Sequence, residues 1–354
     1  MMTQLLCGAV FGVALGFLLK RSGMCFTGLA YGAVCQRRWY ELVPFMLVVA
    51  VQALVYHGMG HAGLITLPSF LPSFSLVSVA LGSVLFGVGA VLAGGCLVGT
   101  LVKCGDGRIE AFAALASFLV AGYVVSAGPG MPLSAGLRSL AVVADDLPGR
   151  LGLLPLGLAA AGALALAVLT VRRSRDSVSL EEPSAGSGLG YWLGRKPWRR
   201  ELVAVAIGLV MGLAFLASEQ FGRRYGCATA MPLLSWVFAL NPPDVVVGGC
   251  NPYDVVLGWG SGFAIGIPLG SLAASLVTGS LQLVRPSALE LVASVVGGLL
   301  MGAGAMWGAG CLVSNGLVGT AQFSAKSWFA LLFLLAGIWA GGCVAAAIAK
   351  RIGR

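Results

Sequence analysis

Long apolar runs, separated by short polar segments, make up most of this sequence. Apolar residues account for 58% of its 354 residues and charged residues for only 10%, against roughly half and a quarter in soluble domains. A membrane-spanning helix needs about 20 mostly apolar residues, so we predict an all-α integral membrane protein with about nine transmembrane helices. The predicted spans are 2–19, 42–58, 76–94, 111–127, 151–171, 202–218, 260–282, 288–307 and 327–349.

The basic residues predict the orientation of these helices. Lys and Arg collect on the cytoplasmic side of membrane proteins, and nine spans place the two ends of the chain on opposite sides. With the N-terminus outside, 17 of the 22 basic residues fall on the cytoplasmic side. We therefore predict an outside N-terminus and a cytoplasmic C-terminus. We interpret the net charge of +9 as this topology signal and expect no nucleic-acid partner.

A polar segment at 172–201 divides the chain. It contains Pro183 with several Ser and Gly residues, and the basic clusters RRSR and RKPWRR bracket it. We predict an N-terminal repeat at 1–171 with about five spans, this cytoplasmic linker, and a C-terminal repeat at 202–354 with about four. Because five spans precede the linker, the second half begins in the opposite direction. The two halves are therefore predicted to be inverted repeats, an arrangement typical of transporters.

A sequence repeat supports this division. Residues 81–99 match residues 296–314 at a constant offset of 215, with nine of the nineteen positions identical. Both copies are rich in glycine and both contain Gly-Cys-Leu-Val, at Cys96 and at Cys311. Glycine is a poor helix former, so each copy predicts a helix that breaks at the Gly-Cys step. Each break presents one thiol group at the end of a helix.

Two segments broken by polar residues are too short to cross the bilayer. They are 21–36, RSGMCFTGLAYGAVCQ, and 221–240, FGRRYGCATAMPLLSWVFAL. In each segment an arginine precedes a cysteine by four residues, at Cys25 and at Cys227. Non-helical backbone is tolerated at membrane depth only where protein or a wet cavity satisfies its polar groups. We therefore expect re-entrant hairpins that enter from opposite faces and meet near the middle of the membrane.

Cys25, Cys96 and Cys311 are the candidate binding residues. Thiols are soft and polarizable, and they suit sulfur better than hard oxygen ligands. Helix N-termini favour anions, and glycines in the same loops leave backbone N–H groups uncovered, at Gly94, Gly95 and Gly310. A small sulfur-containing anion fits both features. The nine cysteines include no CxxC pair and have no histidine nearby, which argues against a metal site, and we expect no cofactor.

The motifs RSGMCFTG, LAGGCLVG and GAGCLVSNGLVG resemble those of the sulfur-transport membrane proteins of the YeeE/YedE type, whose characterised members import thiosulfate. The resemblance covers essentially the whole chain. It implies an hourglass-shaped monomer in the inner membrane, with loops that meet at a constriction. It also implies transient S–H hydrogen bonds from Cys25, Cys96 and Cys311 to thiosulfate, and a cytoplasmic partner, either a TusA-like protein or a rhodanese sulfurtransferase. The expected supporting loop residues are Thr27, Gly94, Gly95, Cys227, Gly310 and Asn315.

Other functions stay open from the sequence. The resembling family includes selenium-linked members, so another sulfur or selenium compound is an alternative substrate. Cys227 also stands where we expect a small or apolar residue in relatives. A membrane thiol-disulfide oxidoreductase would need a vicinal or CxxC pair, and the closest spacings are Cys25–Cys35 and Cys96–Cys104. A purely structural subunit would not account for the duplicated Gly-Cys break. We favour a transporter that is not an enzyme.

Overall fold

The computed structural model describes residues 2–67, 73–145, 154–177, 198–222, 226–240, 258–281 and 285–352. Within these ranges the chain forms thirteen α-helices and one small pair of strands. The helices are α1 Met2–Ser22, α2 Phe26–Val34, α3 Leu42–His61, α4 Leu76–Leu92, α5 Leu97–Gly105, α6 Ile109–Ser126, α7 Met131–Ser139, α8 Leu154–Ser177, α9 Arg200–Glu219, α10 Ala230–Leu240, α11 Trp259–Thr278, α12 Ala288–Trp307 and α13 Ala325–Ile352. Strand β1, Ser73–Ser75, pairs antiparallel with β2, Val142–Ala144.

Eight helical stretches among the described residues are long and apolar enough to cross a membrane. They are Met2–Ser22, Trp39–His61, Leu76–Gly105, Ile109–Ser126, Arg200–Glu219, Trp259–Thr278, Ala288–Trp307 and Ala325–Arg351. The remaining predicted span, 151–171, coincides with α8, whose described apolar stretch Leu154–Leu166 is shorter than the other eight. The predicted class, an all-α integral membrane protein, is confirmed.

Glycines bring the long helices into close contact. Helices α1 and α11 run parallel, because a Cβ atom added to Gly12 would lie 2.2 Å from the Phe263 carbonyl oxygen, and one added to Gly16 would lie 2.0 Å from that of Ile267. Helices α3 and α9 meet in the same way, with Gly208 against Val51. Small residues let helix backbones approach closely in a membrane, where van der Waals packing holds helices together. These glycines are therefore packing positions.

The two helices of the sequence repeat, α4 and α12, pack against each other in antiparallel orientation. A Cβ atom added to Gly82 would lie 2.1 Å from the Gly308 nitrogen, and one added to Gly297 would lie 2.5 Å from the Ala93 nitrogen. Gly82 and Gly297 are equivalent positions of the repeat, and so are Ala93 and Gly308. The contacts are thus reciprocal, as they are across a two-fold axis.

The other long helices follow the same two-fold relation. Helix α1 packs on α11 as α9 packs on α3, and α4 packs on α13 as α12 packs on α6. Exchanging α1 with α9, α3 with α11, α4 with α12 and α6 with α13 leaves these contacts unchanged. The eight long helices therefore form two sets of four in the same chain order, which supports an inverted repeat. Helix α8 packs on α3, outside both sets, and the exact division at 1–171, 172–201 and 202–354 stays a prediction.

Candidate functional site

The helices before the two Gly-Cys steps end with equivalent hydrogen bonds. Helix α4 ends with a bond from the Gly95 N–H to the Ala90 carbonyl, 2.8 Å, and α12 ends with the equivalent bond from Gly310 to Ala305, 2.9 Å. The residue before each of these glycines is left-handed, with φ of 66° at Gly94 and 47° at Ala309. This is the Schellman arrangement that commonly terminates helices. The predicted helix break is present in both copies.

Each cysteine then begins a new helical segment. The Cys96 carbonyl accepts from the Thr100 N–H at 2.8 Å, at the start of α5, and the Cys311 carbonyl accepts from the Asn315 N–H at 2.9 Å. The segment after Cys311 continues into a π-helical turn, Ser314–Gly319. Both thiols therefore lie where one helix has ended and the next begins. Uncovered N–H groups at such helix starts favour negative charge.

The first thiol cluster consists of Cys25, Cys96 and Thr27. A methyl group added to Gly99 would lie 3.4 Å from the Cys25 sulfur and 4.0 Å from the Cys96 sulfur, so both thiols border the same small space. Cys25 directly precedes α2. The buried Thr27 hydroxyl lies beside the Cys96 thiol and makes no hydrogen bond of normal geometry within the described ranges. The structure thus brings together these three residues predicted from the sequence.

The second thiol cluster consists of Cys311, Ser314 and Thr229. The Ser314 hydroxyl oxygen accepts from the Cys311 N–H at 2.7 Å and lies 3.4 Å from the Cys311 sulfur. The Thr229 hydroxyl lies 3.6 Å from the same sulfur. Thr229 directly precedes α10 as Cys25 directly precedes α2. Cys96 and Cys311 are each 1% exposed and belong to one continuous buried core.

Sequence reasoning missed Thr229 and Ser314. It compared Cys25 with Cys227, because an arginine precedes each by four residues, but Arg223 lies outside the described residues. The distance to the next helix start was the informative signal, since it pairs Cys25 with Thr229. Cys227 is fully buried, and its participation in a substrate path stays a prediction.

Gly310 and Asn315 fix the second turn. The Asn315 side-chain amide donates to the Gly308 carbonyl at 3.0 Å, across the Gly-Cys step. Gly310 has a φ of 153°, and a Cβ atom added there would lie 2.8 Å from the Asn315 side-chain Oδ1 atom. Only glycine accommodates both constraints. Gly310 and Asn315, two of the expected supporting loop residues, therefore stabilise the backbone of the turn.

A basic side chain satisfies the end of α12 just before this turn. Arg138, on α7, donates to the Met306 carbonyl at 3.1 Å, and the Ser78 hydroxyl donates to the Trp307 carbonyl at 2.7 Å. The last carbonyls of a helix lack partners within the helix, and a cation is favourable there. Burial lowers the pKa of the Arg138 guanidinium from its ordinary value, although this group stays protonated in proteins.

Four further cysteines in the described part of the chain form no disulfide bond: Cys7, Cys35, Cys104 and Cys343. The Cys35 sulfur lies 3.8 Å from the Ile338 carbonyl oxygen, in the contact between α2 and α13. Burial, with a smaller contribution from Cys343, raises the pKa of Cys35, which favours the unreactive thiol form. This environment agrees with a packing role for Cys35. Cys250 lies outside the described residues.

Comparison with known proteins identifies the family of the chain. The sequence profile described as Sulphur transport matches residues 21–340. Thiosulfate transporter TsuA of Escherichia coli (strain K12) is 29% identical over 345 residues, covering 96% of this chain and 94% of that protein. Thiosulfate transporter TsuA of Spirochaeta thermophila (strain ATCC 700085 / DSM 6578 / Z-1203) is 26% identical over 369 residues, with 94% and 96% covered. The chain therefore belongs to the sulphur transport family.

Proposed function

We propose that this protein imports thiosulfate across the inner membrane, along a path between its two halves that the thiols of Cys25, Cys96 and Cys311 line. One observation carries the proposal: both Gly-Cys turns present a buried thiol at a helix start, in the same buried core. This chain matches two relatives over nearly their whole length, and both carry the name thiosulfate transporter. Their name supports this choice of substrate.

The chemistry of the two clusters suits this ion. Thiosulfate has a soft terminal sulfur at one end and charged oxygens at the other, so it can use thiols and N–H groups together. Thiols are weak hydrogen-bond donors, and weak binding at successive sites lets an ion leave as well as enter. Cys25 and Cys96 border one small space, and Cys311 has hydroxyl neighbours. The ion would pass from one cluster to the other with no bond broken.

Contacts between loops support the predicted topology. Lys20 pairs with Asp106 at 2.8 Å, and Arg200 pairs with Glu41 at 3.2 Å. If the spans alternate in direction, these two ion pairs lie on the same face of the membrane. On the opposite face, Ser324 donates to Asp145 at 2.6 Å. We assign the first face to the cytoplasm because 17 of the 22 basic residues then lie on that side. The N-terminus is outside and the linker inside.

Uptake of radiolabelled thiosulfate into proteoliposomes tests this function. We expect saturable uptake that unlabelled thiosulfate inhibits and sulfate does not, because sulfate lacks the terminal sulfur that the thiols would contact. Liposomes without protein are the control. Selenite is the second competitor, and strong inhibition by selenite would favour a selenium compound as the substrate. Absence of uptake, or equal inhibition by sulfate, would contradict the proposal.

A sulfurtransferase partner is the second part of the proposal. A passive path runs in both directions, so consumption of thiosulfate inside the cell would make the flux inward. Near the end of the linker, the Trp198 ring lies 5.3 Å from the Arg21 guanidinium in a cation-π contact, close to the exit in our topology. A TusA-like or rhodanese sulfurtransferase bound there should protect this face from hydrogen-deuterium exchange. Unchanged exchange together with full uptake would make the basic clusters a lipid anchor.

A further inference from the structure

Each Gly-Cys turn has a lysine side chain that donates a hydrogen bond to the equivalent backbone carbonyl. Lys103 Nζ donates to the Gly94 carbonyl at 2.7 Å, and Lys326 Nζ donates to the Ala309 carbonyl at 3.0 Å. Gly94 and Ala309 are equivalent positions of the repeat, separated by the offset of 215. The lysines are not equivalent, because Lys103 lies on α5 and Lys326 on α13. Two lysines that are not related by the repeat thus bring an ammonium group to equivalent carbonyl oxygens.

The surroundings of the two ammonium groups differ. Lys326 is 7% exposed, and the neighbouring Asp145 carboxylate offsets its charge. Asp145 itself accepts from the Ser324 hydroxyl at 2.6 Å and the Ala325 N–H at 2.9 Å. It therefore caps the start of α13 while it faces Lys326. This arrangement is complete without a ligand, so Lys326 serves as a positioning residue for the second turn.

Lys103 instead lies beside the first thiol cluster. A Cβ atom added to Gly94 would lie 2.9 Å from the Lys103 Nζ atom, and one added to the adjacent Gly95 would lie 3.8 Å from the Cys25 sulfur. Glu110 is paired with Arg108 at 2.5 Å, and within the described ranges no carboxylate lies in ion-pair contact with Lys103. An ammonium group has three donors, and the turn carbonyls of Ala93 and Gly94 occupy at most two. At least one donor of this ammonium group therefore remains for an anion.

We propose that Lys103 is the anion-binding group of the first thiol cluster. Its ammonium would contact the oxygens of a divalent sulfur oxyanion whose terminal sulfur lies between Cys25 and Cys96. The Thr27 hydroxyl, buried and without a hydrogen bond of normal geometry in the described structure, supplies a further donor. This inference rests on the proposed function and deepens it by assigning the group that balances the charge of the substrate.

Thiosulfate protection of Cys25 against alkylation by N-ethylmaleimide tests the assignment. Cys25 is the more exposed thiol of the pair, and mass spectrometry of the purified full chain reads its modification separately from that of other cysteines. The alkylation rate without thiosulfate reports the position of the turn. The thiosulfate concentration that halves this rate reports binding of the anion. Lys103→Gln is the informative variant, because it keeps a donor for the Gly94 carbonyl and removes the charge.

We expect Lys103→Gln to leave the unprotected rate nearly unchanged and to raise the half-protecting concentration about tenfold, the size of one lost hydrogen bond to a charged group. Lys103→Arg, which keeps the charge, should bind like the wild type. Lys20→Met is the matched control, since it removes a cation that pairs with Asp106, and it should leave protection unchanged. If thiosulfate protects Lys103→Gln as well as it protects the wild type, the assignment is overturned and Lys103 is a positioning residue. No protection of the wild-type protein would overturn the proposed function itself.

Discussion

Gly99 lies beside the two sulfur atoms of the first thiol cluster, so Gly99→Ala tests whether substrate occupies the space next to them. The added methyl group would lie 3.4 Å from the Cys25 sulfur and 4.0 Å from the Cys96 sulfur. Non-bonded heavy atoms attract most strongly at about 3.5–4.0 Å. The methyl group therefore contacts both sulfurs without displacing them. Any substrate atom that contacts both thiols would need the same volume.

The substitution should not destabilise the fold. Gly99 lies inside α5, Leu97–Gly105, and its φ is not among the left-handed values of the chain. Alanine is favoured over glycine at such a helical position by about 1 kcal/mol. We therefore expect an unchanged or higher melting temperature. Transport should fall at least about tenfold, because losing one contact to a charged ligand costs about 1.4 kcal/mol or more.

Melting temperature in detergent and the initial rate of thiosulfate uptake by proteoliposomes together measure these effects. Gly58→Ala is the matched control: it places the same methyl group in helix α3, where no other atom would lie within 4 Å, and it should transport normally. Wild-type uptake by Gly99→Ala, with the usual dependence on concentration, would refute the reasoning and place the substrate elsewhere.

Two other perturbations test the architecture. An accessibility scan with introduced cysteines should label residues 172–201 only from the cytoplasm and residues 128–150 only from outside, and an externally labelled linker would contradict the orientation. Gly12→Val should cost about 3 kcal/mol of stability or more through overpacking, since its Cβ would lie 2.2 Å from the Phe263 carbonyl oxygen. Gly162→Ala, with no atom within 4 Å of its added Cβ, should be neutral in the same melting measurement.

The fold was largely predictable because a membrane leaves few alternatives. A long apolar run must form a helix to satisfy its backbone in lipid, and the eight long helices agree with predicted spans. The helix breaks were predictable too, because Gly95 and Gly310 precede the repeated cysteines. The partner of each helix was not predictable, since the glycines of α1 identify a packing face without naming α11 as its neighbour.

The site was predictable only in part. Repetition identified Cys96 and Cys311, but no repetition marks the groups that approach them from other segments. Thr229 was missed because a hydroxyl takes the place that a thiol occupies at Cys25. Lys103 and Lys326 were counted as topology signals, and their sequence positions do not show that both side chains return to the same carbonyl. Such contacts arise only from the packing of distant helices.

Thiosulfate uptake by Cys96→Ala and Cys311→Ala tests the central claim most directly. Both variants should reach normal levels in the membrane and lose uptake, because each removes the thiol of one Gly-Cys turn. Cys→Ser at the same positions should restore little, since a hydroxyl is a harder partner for sulfur. Cys7→Ala and Cys343→Ala are the controls and should transport like the wild type. Normal uptake by Cys96→Ala would contradict a path that depends on the repeated thiols.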